Sequence, residues 1–316
     1  MSLQAIPNET LLNILSVLST PDLVNSSLVS QRFYNLVQIP LYRHLALPHP
    51  AVPARASSLA LLLRTLFTHS TREIPTRNTR SLFVYDGTDD DYPVPFGRRL
   101  IQLLSLMPRL ELFEIWPWAH SHQALFDCLH TPSVMPVALH NLREFRSTNC
   151  ELGDGLSIHL LTRLMALPSL RTLVITVDDD TSVSLDTAYQ FTSGITTLEL
   201  VDCHFTHEWL AVILKIPRSL SSFIYRQLPD FSFHLEELGK ALQPLHGSLE
   251  HLDLDFTQLW LEDIIEDDDR PIGSFRDWHC LKSLDIPLEV LLGIPTCTLC
   301  FLQDYGHFGS GTTATR

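Results

Sequence analysis

A short apolar pattern recurs along most of the chain and limits the folds that the sequence can adopt. The pattern places apolar residues at positions i, i+3 and i+5, as in Leu170-x-x-Leu173-x-Ile175. Its middle residue falls at positions 82, 113, 145, 173, 198, 223, 252 and 284, so successive copies are 25 to 32 residues apart. A period of this length is typical of stacked structural repeats, in which each unit buries its apolar face against its neighbours.

The repeated pattern resembles leucine-rich repeats, whose L-x-x-L-x-L core returns about every 20–29 residues. Two copies continue into the next consensus position with Cys150 and Cys203, which is similar to the cysteine-containing type and predicts that both are small buried residues. The resemblance implies an α/β fold, a solenoid of about eight irregular repeats over residues 79–295, with parallel strands on the concave face and helices on the convex face. Helical patterns fill several intervals, at 98–107, 156–167, 208–216 and 233–242.

The facing of these strands predicts which side chains a partner could reach. Side chains alternate between the two faces of a strand. If the leucines of the pattern point inward, the residues between them point out from the concave face. We therefore predict a protein-binding surface made of Phe83, Tyr85, Leu112, Glu114, Trp116, Arg146, Glu199, Arg226, His251, Asp253, Asp255 and Asp285.

The predicted surface is aromatic in its early repeats and acidic in its late ones. Exposed aromatic residues are frequent anchors in protein recognition, so we expect a partner that offers an apolar side chain to the early repeats. A basic stretch of the same partner would face the late aspartates. The alternative for the aromatic residues is that they pack under a neighbouring helix or loop.

The segment at 6–45 carries three helix signals in close succession. Apolar residues at i, i+3, i+4 and i+7 gather on one helical face, namely Leu11, Ile14, Leu15 and Leu18. Thr20-Pro21-Asp22 indicates a second helix start, with Thr20 as the cap and Pro21 at the first helical position, and Ser30 can cap a third helix. Because segments of about 40 residues rarely fold without outside help, we expect these helices to meet another surface, in this chain or in another protein.

In order and spacing, Ile6-Pro7, Leu28-Val29-Ser30-Gln31-Arg32-Phe33 and Pro40-Leu41-Tyr42-Arg43 resemble an F-box, and the closing Leu-Tyr-Arg is similar to the fungal version. The resemblance covers residues 1–45. It implies docking on the small adaptor subunit of an SCF-type ubiquitin ligase, and through it on the cullin. The alternative is an ordinary helical cap on a globular domain. The positions that the resemblance assigns to adaptor binding are Ile6, Pro7, Leu11, Ile14, Leu15, Leu18, Leu23, Leu28, Val29 and Phe33.

Composition and charge narrow the possible partners. The net charge of −14 argues against nucleic-acid binding, which requires clustered Lys and Arg. No stretch reaches the ~18 apolar residues of a membrane span, and we expect no secretory signal. Six cysteines scattered over 316 residues fit reduced thiols in the cytoplasm or nucleus.

Motifs for catalysis are missing from the sequence. It contains no G-x-S-x-G, P-loop or H-E-x-x-H pattern. Cys297-x-x-Cys300 lacks the second pair of ligands that a zinc site needs. We therefore predict no catalytic residue, no metal site and no cofactor, and a protein that is not an enzyme.

These observations together predict a substrate-recognition subunit of an SCF-type E3 ubiquitin ligase. The F-box would bind the adaptor, and the repeats would hold an unknown target protein. Residues 46–78 would form a linker with a helix, and residues 296–316 a partly disordered tail. The alternative is a non-degradative scaffold that uses the solenoid for protein interactions.

Overall fold

The structure is a computed structural model that describes residues 5–47, 77–85, 95–116, 137–147, 158–176, 190–203, 207–227, 235–255 and 272–287. The chain divides into two compact units, Met1–Leu142 and Arg143–Arg316. Several predictions fall outside the described residues, namely the linker helix, Cys150, the Cys297–Cys300 pair and the tail at 296–316.

Three helices open the first unit: α1 (Asn8–Leu15), α2 (Thr20–Ser27) and α3 (Gln31–Leu41). The third begins as predicted, because the Ser30 side chain accepts a hydrogen bond from the Phe33 amide at 3.2 Å. The second helix differs from the prediction, since its N-cap is Ser19 and not Thr20. Ser19 Oγ accepts from the Asp22 amide at 3.4 Å and donates to the Asp22 carboxylate at 2.6 Å, which is a variant of the capping box.

The first unit continues with strands β1 (His44–Leu47), β2 (Ser81–Tyr85) and β3 (Leu112–Trp116), together with helices α4 (Pro95–Ser105) and α5 (Val137–Asn141). The three strands pair in parallel and in chain order. Strand β1 was not predicted, since its four residues carry only part of the repeated pattern. It begins only three residues after α3 ends, and its Leu45 and Leu47 lie opposite Leu82 and Val84.

The described residues of the second unit form six strands, β4 to β9, with helices between several of them. Each of these strands pairs in parallel with the next one along the chain. The predicted parallel strands are therefore confirmed in both units. The strands are Glu144–Ser147, Thr172–Ile175, Thr197–Cys203, Ser222–Gln227, His251–Asp255 and Ser283–Asp285, and the α-helices, numbered α6 to α8, are Ile158–Met165, His207–Ile213 and Leu235–Leu242.

A repeated hydrogen-bond pattern at the start of the strands explains why the copies stack in register. The backbone carbonyl of a residue just before a strand accepts hydrogen bonds from two consecutive amides of the next repeat. The carbonyl of Ser221, for example, accepts from Glu250 at 2.8 Å and from His251 at 2.9 Å. The pattern occurs at seven points of the described chain, with distances of 2.8 to 3.2 Å, at the carbonyls of Arg43, Arg80, Arg143, Arg171, Thr196, Ser221 and Glu250.

The core of each unit lies on one side of its strands. From β2 to β8, the inward positions of the pattern in the described residues are at most 1% exposed: Leu82, Val84, Phe113, Ile115, Phe145, Ser147, Leu173, Ile175, Leu198, Leu200, Phe223, Tyr225, Leu252 and Leu254. The last copy differs, because Leu284 in β9 is only half-buried. Cys203 is also fully buried, as predicted. Strict alternation along short strands accounts for this division between the two faces.

Candidate functional site

The three N-terminal helices build a small core of their own. Its buried members are Leu11, Leu15, Leu23, Leu36 and Val37, and Ile6, Leu12, Leu18, Phe33 and Leu41 pack against it half-buried. Three of the residues assigned to adaptor binding are therefore interior residues, because Leu11 and Leu15 are 2% exposed and Leu23 is 5% exposed. These three side chains hold the helices together, and their assignment to adaptor binding stays a prediction.

A different set of apolar side chains faces solvent in the same segment. Seven large hydrophobic residues are exposed in the described part of the chain, and six of them lie between positions 14 and 34. The seventh is Phe191, in the second unit. The six, which we name the apolar surface, are Ile14, Val17, Val24, Leu28, Val29 and Tyr34.

The apolar surface overlaps only partly with the residues that the sequence assigned to adaptor binding. Ile14, Leu28 and Val29 belong to both sets, and Pro7 is exposed as well. The sequence reasoning missed Val17, Val24 and Tyr34. Helical spacing could have indicated the first two, because Val17 follows Ile14 by three positions, just beyond the end of α1, and Val24 precedes Leu28, the C-cap of α2, by four.

Single exposed hydrophobic residues are ordinary, whereas a contiguous group usually marks a surface that another molecule covers. Here the exposed residues lie in three short helices and in the turns between them, around a core that the helices have already formed. Residues 3–48 match the model of the F-box-like family. The chain carries an F-box-like domain. That domain supports a role in binding the adaptor of an SCF-type ligase.

Two further comparisons add little. A search of curated protein sequences found no significant match. Among solved structures, the chain is similar to a protein from Bacteroides fragilis that was determined by a structural genomics consortium, with 12% identity and a TM-score of 0.30. The similarity covers 67% of this chain and 74% of that one, but a superposition at this score does not establish a shared fold.

The second unit offers a second candidate surface, the side of its strands opposite the buried leucines, which we name the outward face. The register aligns its residues in rows across the strands. One row runs through Arg146, Val174, Glu199, Ile224, Asp253 and Asp285. In neighbouring rows, the register places Arg226 opposite Asp255, and His251 opposite Ser222 and Ser283.

Charge on the outward face is predominantly negative between β6 and β9. Arg226 Nη1 lies 3.1 Å from Glu199 Oε1, and Asp253 and Asp285 face each other in register. Burial raises the pKa of Asp253, the Asp285 carboxylate raises it further, and Arg226 partly opposes both effects. One guanidinium therefore stands among four carboxylates, those of Glu199, Asp253, Asp255 and Asp285.

Predicted surface residues also lie on the early strands of the outward face and, separately, on β2 and β3 of the first unit. In the second unit, Glu144 and Arg146 form an ion pair at 2.5 Å, and Val174, beside Arg146 in its row, is 5% exposed. Val174 is thus not available to a partner, although it occupies an outward position. In the first unit, the register places Phe83 opposite Glu114, Tyr85 opposite Trp116, and Leu112 opposite Ser81.

Two properties of the described residues bear on other functions. No group of three or more His, Cys, Asp or Glu side chains among them is arranged to hold a metal ion. None of the helices in the described ranges is long and apolar enough to cross a membrane.

Proposed function

We propose that this protein is a substrate-recognition subunit of an SCF-type E3 ubiquitin ligase. The apolar surface of the F-box-like domain binds the adaptor subunit, which connects the protein to the cullin. The repeats are irregular leucine-rich repeats that hold a target protein. The subunit itself catalyses no reaction and uses no cofactor. It raises the effective concentration of the lysines of the target near the ubiquitin-loaded enzyme.

The observation that carries the proposal is the concentration of exposed hydrophobic residues in the F-box-like domain. Leu28 is 81% exposed and Val17 is 82% exposed, so each would gain stabilisation from burial of about 25 cal/mol per Å² of apolar area. A specific protein interface should bury more than about 1,000 Å² in total. Six apolar side chains, three in the helices α1 to α3 and three in the turns that connect them, form a suitable centre for such an interface.

For the target, we propose a protein with a basic stretch that binds the outward face between β6 and β9. Carboxylates outnumber guanidinium groups there, and Arg226 is already paired with Glu199. Opposite charge on a partner would favour association and set its orientation. The scattered cysteines are compatible with a cytoplasmic or nuclear location, where thiols stay reduced.

The docking step is tested by titrating the full chain with purified adaptor subunit in a calorimeter. Leu28→Ser should weaken binding by more than about tenfold, since central apolar anchors often contribute 2 kcal/mol or more. Phe191→Ser is the matched control, because it removes an exposed hydrophobic side chain that lies outside the F-box-like domain. A folded chain that does not bind the adaptor, or equal loss of affinity in both variants, would contradict the proposal.

Target capture needs a separate measurement. Proteins that co-purify with the full chain are compared between the wild type and a variant that combines Asp253→Asn with Asp285→Asn. We expect the variant to lose the basic proteins that co-purify with the wild type and to retain the other co-purifying proteins. Turnover of the captured proteins when the ligase is complete distinguishes a degradative receptor from a non-degradative scaffold.

A further inference from the structure

We infer that Arg32 is a positioning residue of the adaptor-binding surface, which fixes the start of α1 in the conformation that docks. The inference rests on the proposed function, because it concerns how the docking surface is held before a partner arrives. Arg32 itself belongs to α3 and is not one of the exposed apolar residues. Its role is to hold Ile6 and Asn8, at the start of the three-helix segment.

The contacts of Arg32 reach across 24 to 26 positions of the chain. Its Nη2 donates to the carbonyl oxygen of Ile6 at 2.5 Å and to Asn8 Oδ1 at 2.6 Å. Its Nε donates to the same Asn8 Oδ1 at 3.0 Å. One planar guanidinium therefore binds the residues on both sides of Pro7, a fork geometry that a lysine could not reproduce.

These contacts take the place of the side-chain N-cap that usually stabilises the first turn of a helix. Helix α1 begins at Asn8, and its N-cap is Pro7, which makes no side-chain capping hydrogen bond. Asparagine is among the best N-cap residues, yet the oxygen of Asn8 accepts from Arg32 instead. The first turn of α1 is thus secured by a side chain of α3, and its closing bond, from the Leu11 amide to the Pro7 carbonyl, measures 3.1 Å.

The segment that Arg32 holds lies beside the apolar surface. Pro7 is exposed, and Ile14 follows it by seven positions, or about two helical turns along the same side of α1. Ile6, on the other side of Pro7, packs half-buried against the domain core. A start of α1 that is ordered in the free protein would spare the complex the entropy of ordering it, which is the usual benefit of preorganisation.

The test uses the full chain, purified adaptor subunit and two readouts. Arg32→Met should weaken adaptor binding about tenfold, in line with the loss of hydrogen bonds to a charged donor. It should also speed hydrogen exchange at the Leu11 amide, while exchange at the Leu23 amide, which bonds to Ser19 at the start of α2, stays unchanged. Arg43→Met is the matched control, because it removes the same charge from an exposed side chain.

Two further variants separate positioning from a general loss of stability. Asn8→Ala removes the acceptor and leaves Arg32 in place, so its effect on affinity should be non-additive with that of Arg32→Met. Arg32→Lys should restore part of the affinity, because an ammonium can still donate to one of the two acceptors.

The possible outcomes separate the inference from the function on which it rests. A wild-type chain that fails to bind the adaptor overturns both. Adaptor binding that Arg32→Met leaves unchanged overturns the inference alone, whatever happens to thermal stability. Unchanged exchange at the Leu11 amide in that variant also overturns it. Weaker binding with faster Leu11 exchange, and no effect of Arg43→Met on either, supports it.

Discussion

Leu15 and Leu28 belong to the same three-helix domain, yet Leu15 is 2% exposed and Leu28 is 81% exposed. Leu15 contributes to the interior that holds the helices together, whereas Leu28 is available to a partner. A sequence motif that assigns both residues to one interface therefore combines two physical roles. The two residues should respond differently to the same substitution.

We expect Leu15→Ala to lower the free energy of unfolding of the F-box-like domain by about 2–5 kcal/mol, the usual cost of truncating a fully buried leucine. Leu28→Ala should change that free energy by less than about 0.5 kcal/mol, since exposed sites rarely affect stability. Hydrogen exchange of the amides in α1 to α3 of the full chain measures both effects. Equal destabilisation by the two variants would contradict the burial pattern described above.

The N-cap of α2 provides a second comparison between neighbouring residues. Ser19→Ala should destabilise the domain by about 1 kcal/mol, because the Asp22 amide loses its acceptor. Thr20→Ala should cost much less, since Thr20 is the first helical residue and not the cap. Exchange rates of the amides in α2 give both values, and a larger effect at Thr20 would restore the assignment made from the sequence.

Gly239 lies within helix α8, where alanine would ordinarily stabilise a helix by about 1 kcal/mol. Here the Cβ of an alanine would lie 1.8 Å from the carbonyl oxygen of Ile272. We expect Gly239→Ala to be destabilising by about 1–3 kcal/mol, because backbone must move to admit the methyl group.

The control for this substitution is Gly247→Ala, since an added Cβ at that position meets no atom within 4 Å. Urea denaturation of both variants, followed by tryptophan fluorescence, measures the difference. A Gly239→Ala protein as stable as the wild type would mean that Ile272 does not pack against this helix.

The raised pKa of Asp253 predicts a pH-dependent effect on stability. Burial, Asp285 and the other nearby carboxylates disfavour its charged form, so the folded state binds more protons than the unfolded state at pH values above the ordinary pKa of about 3.9. Stability contributed by this residue therefore falls as the pH rises through its folded pKa. The penalty is therefore larger at neutral pH than at about pH 3–4.

We accordingly expect Asp253→Asn to be more stable than the wild type at neutral pH and to lose that advantage at about pH 3–4. Urea midpoints at the two pH values measure the difference. Asp277→Asn, at an exposed aspartate outside the row, should show no comparable gain. A variant that is less stable at neutral pH would indicate that the attraction of Arg226 outweighs burial and the repulsion of the carboxylates.

The sequence alone predicted the repeated part of the fold well. The spacing of the apolar residues anticipated the parallel strands and which side chains lie inside, because alternation along a strand is a local property. Strand β1 was not predicted, since four residues with two leucines carry too little periodicity to be distinguished from the end of a helix. Its place became visible only through its pairing with β2 and the hydrogen bonds at Arg43.

Which apolar residues of the F-box-like segment are buried and which are exposed was predicted less well, for a physical reason. Order and spacing in the sequence identified the F-box-like segment and its three helices, but an apolar residue in an amphipathic helix can be buried or can face a partner. Only the packing of α1 to α3 assigned Leu11, Leu15 and Leu23 to the interior and left Val17, Val24 and Tyr34 outside. Local sequence thus determined the helices and strands and their apolar character. The tertiary contacts decided which side of each helix is buried in the core and which side stays exposed to a partner.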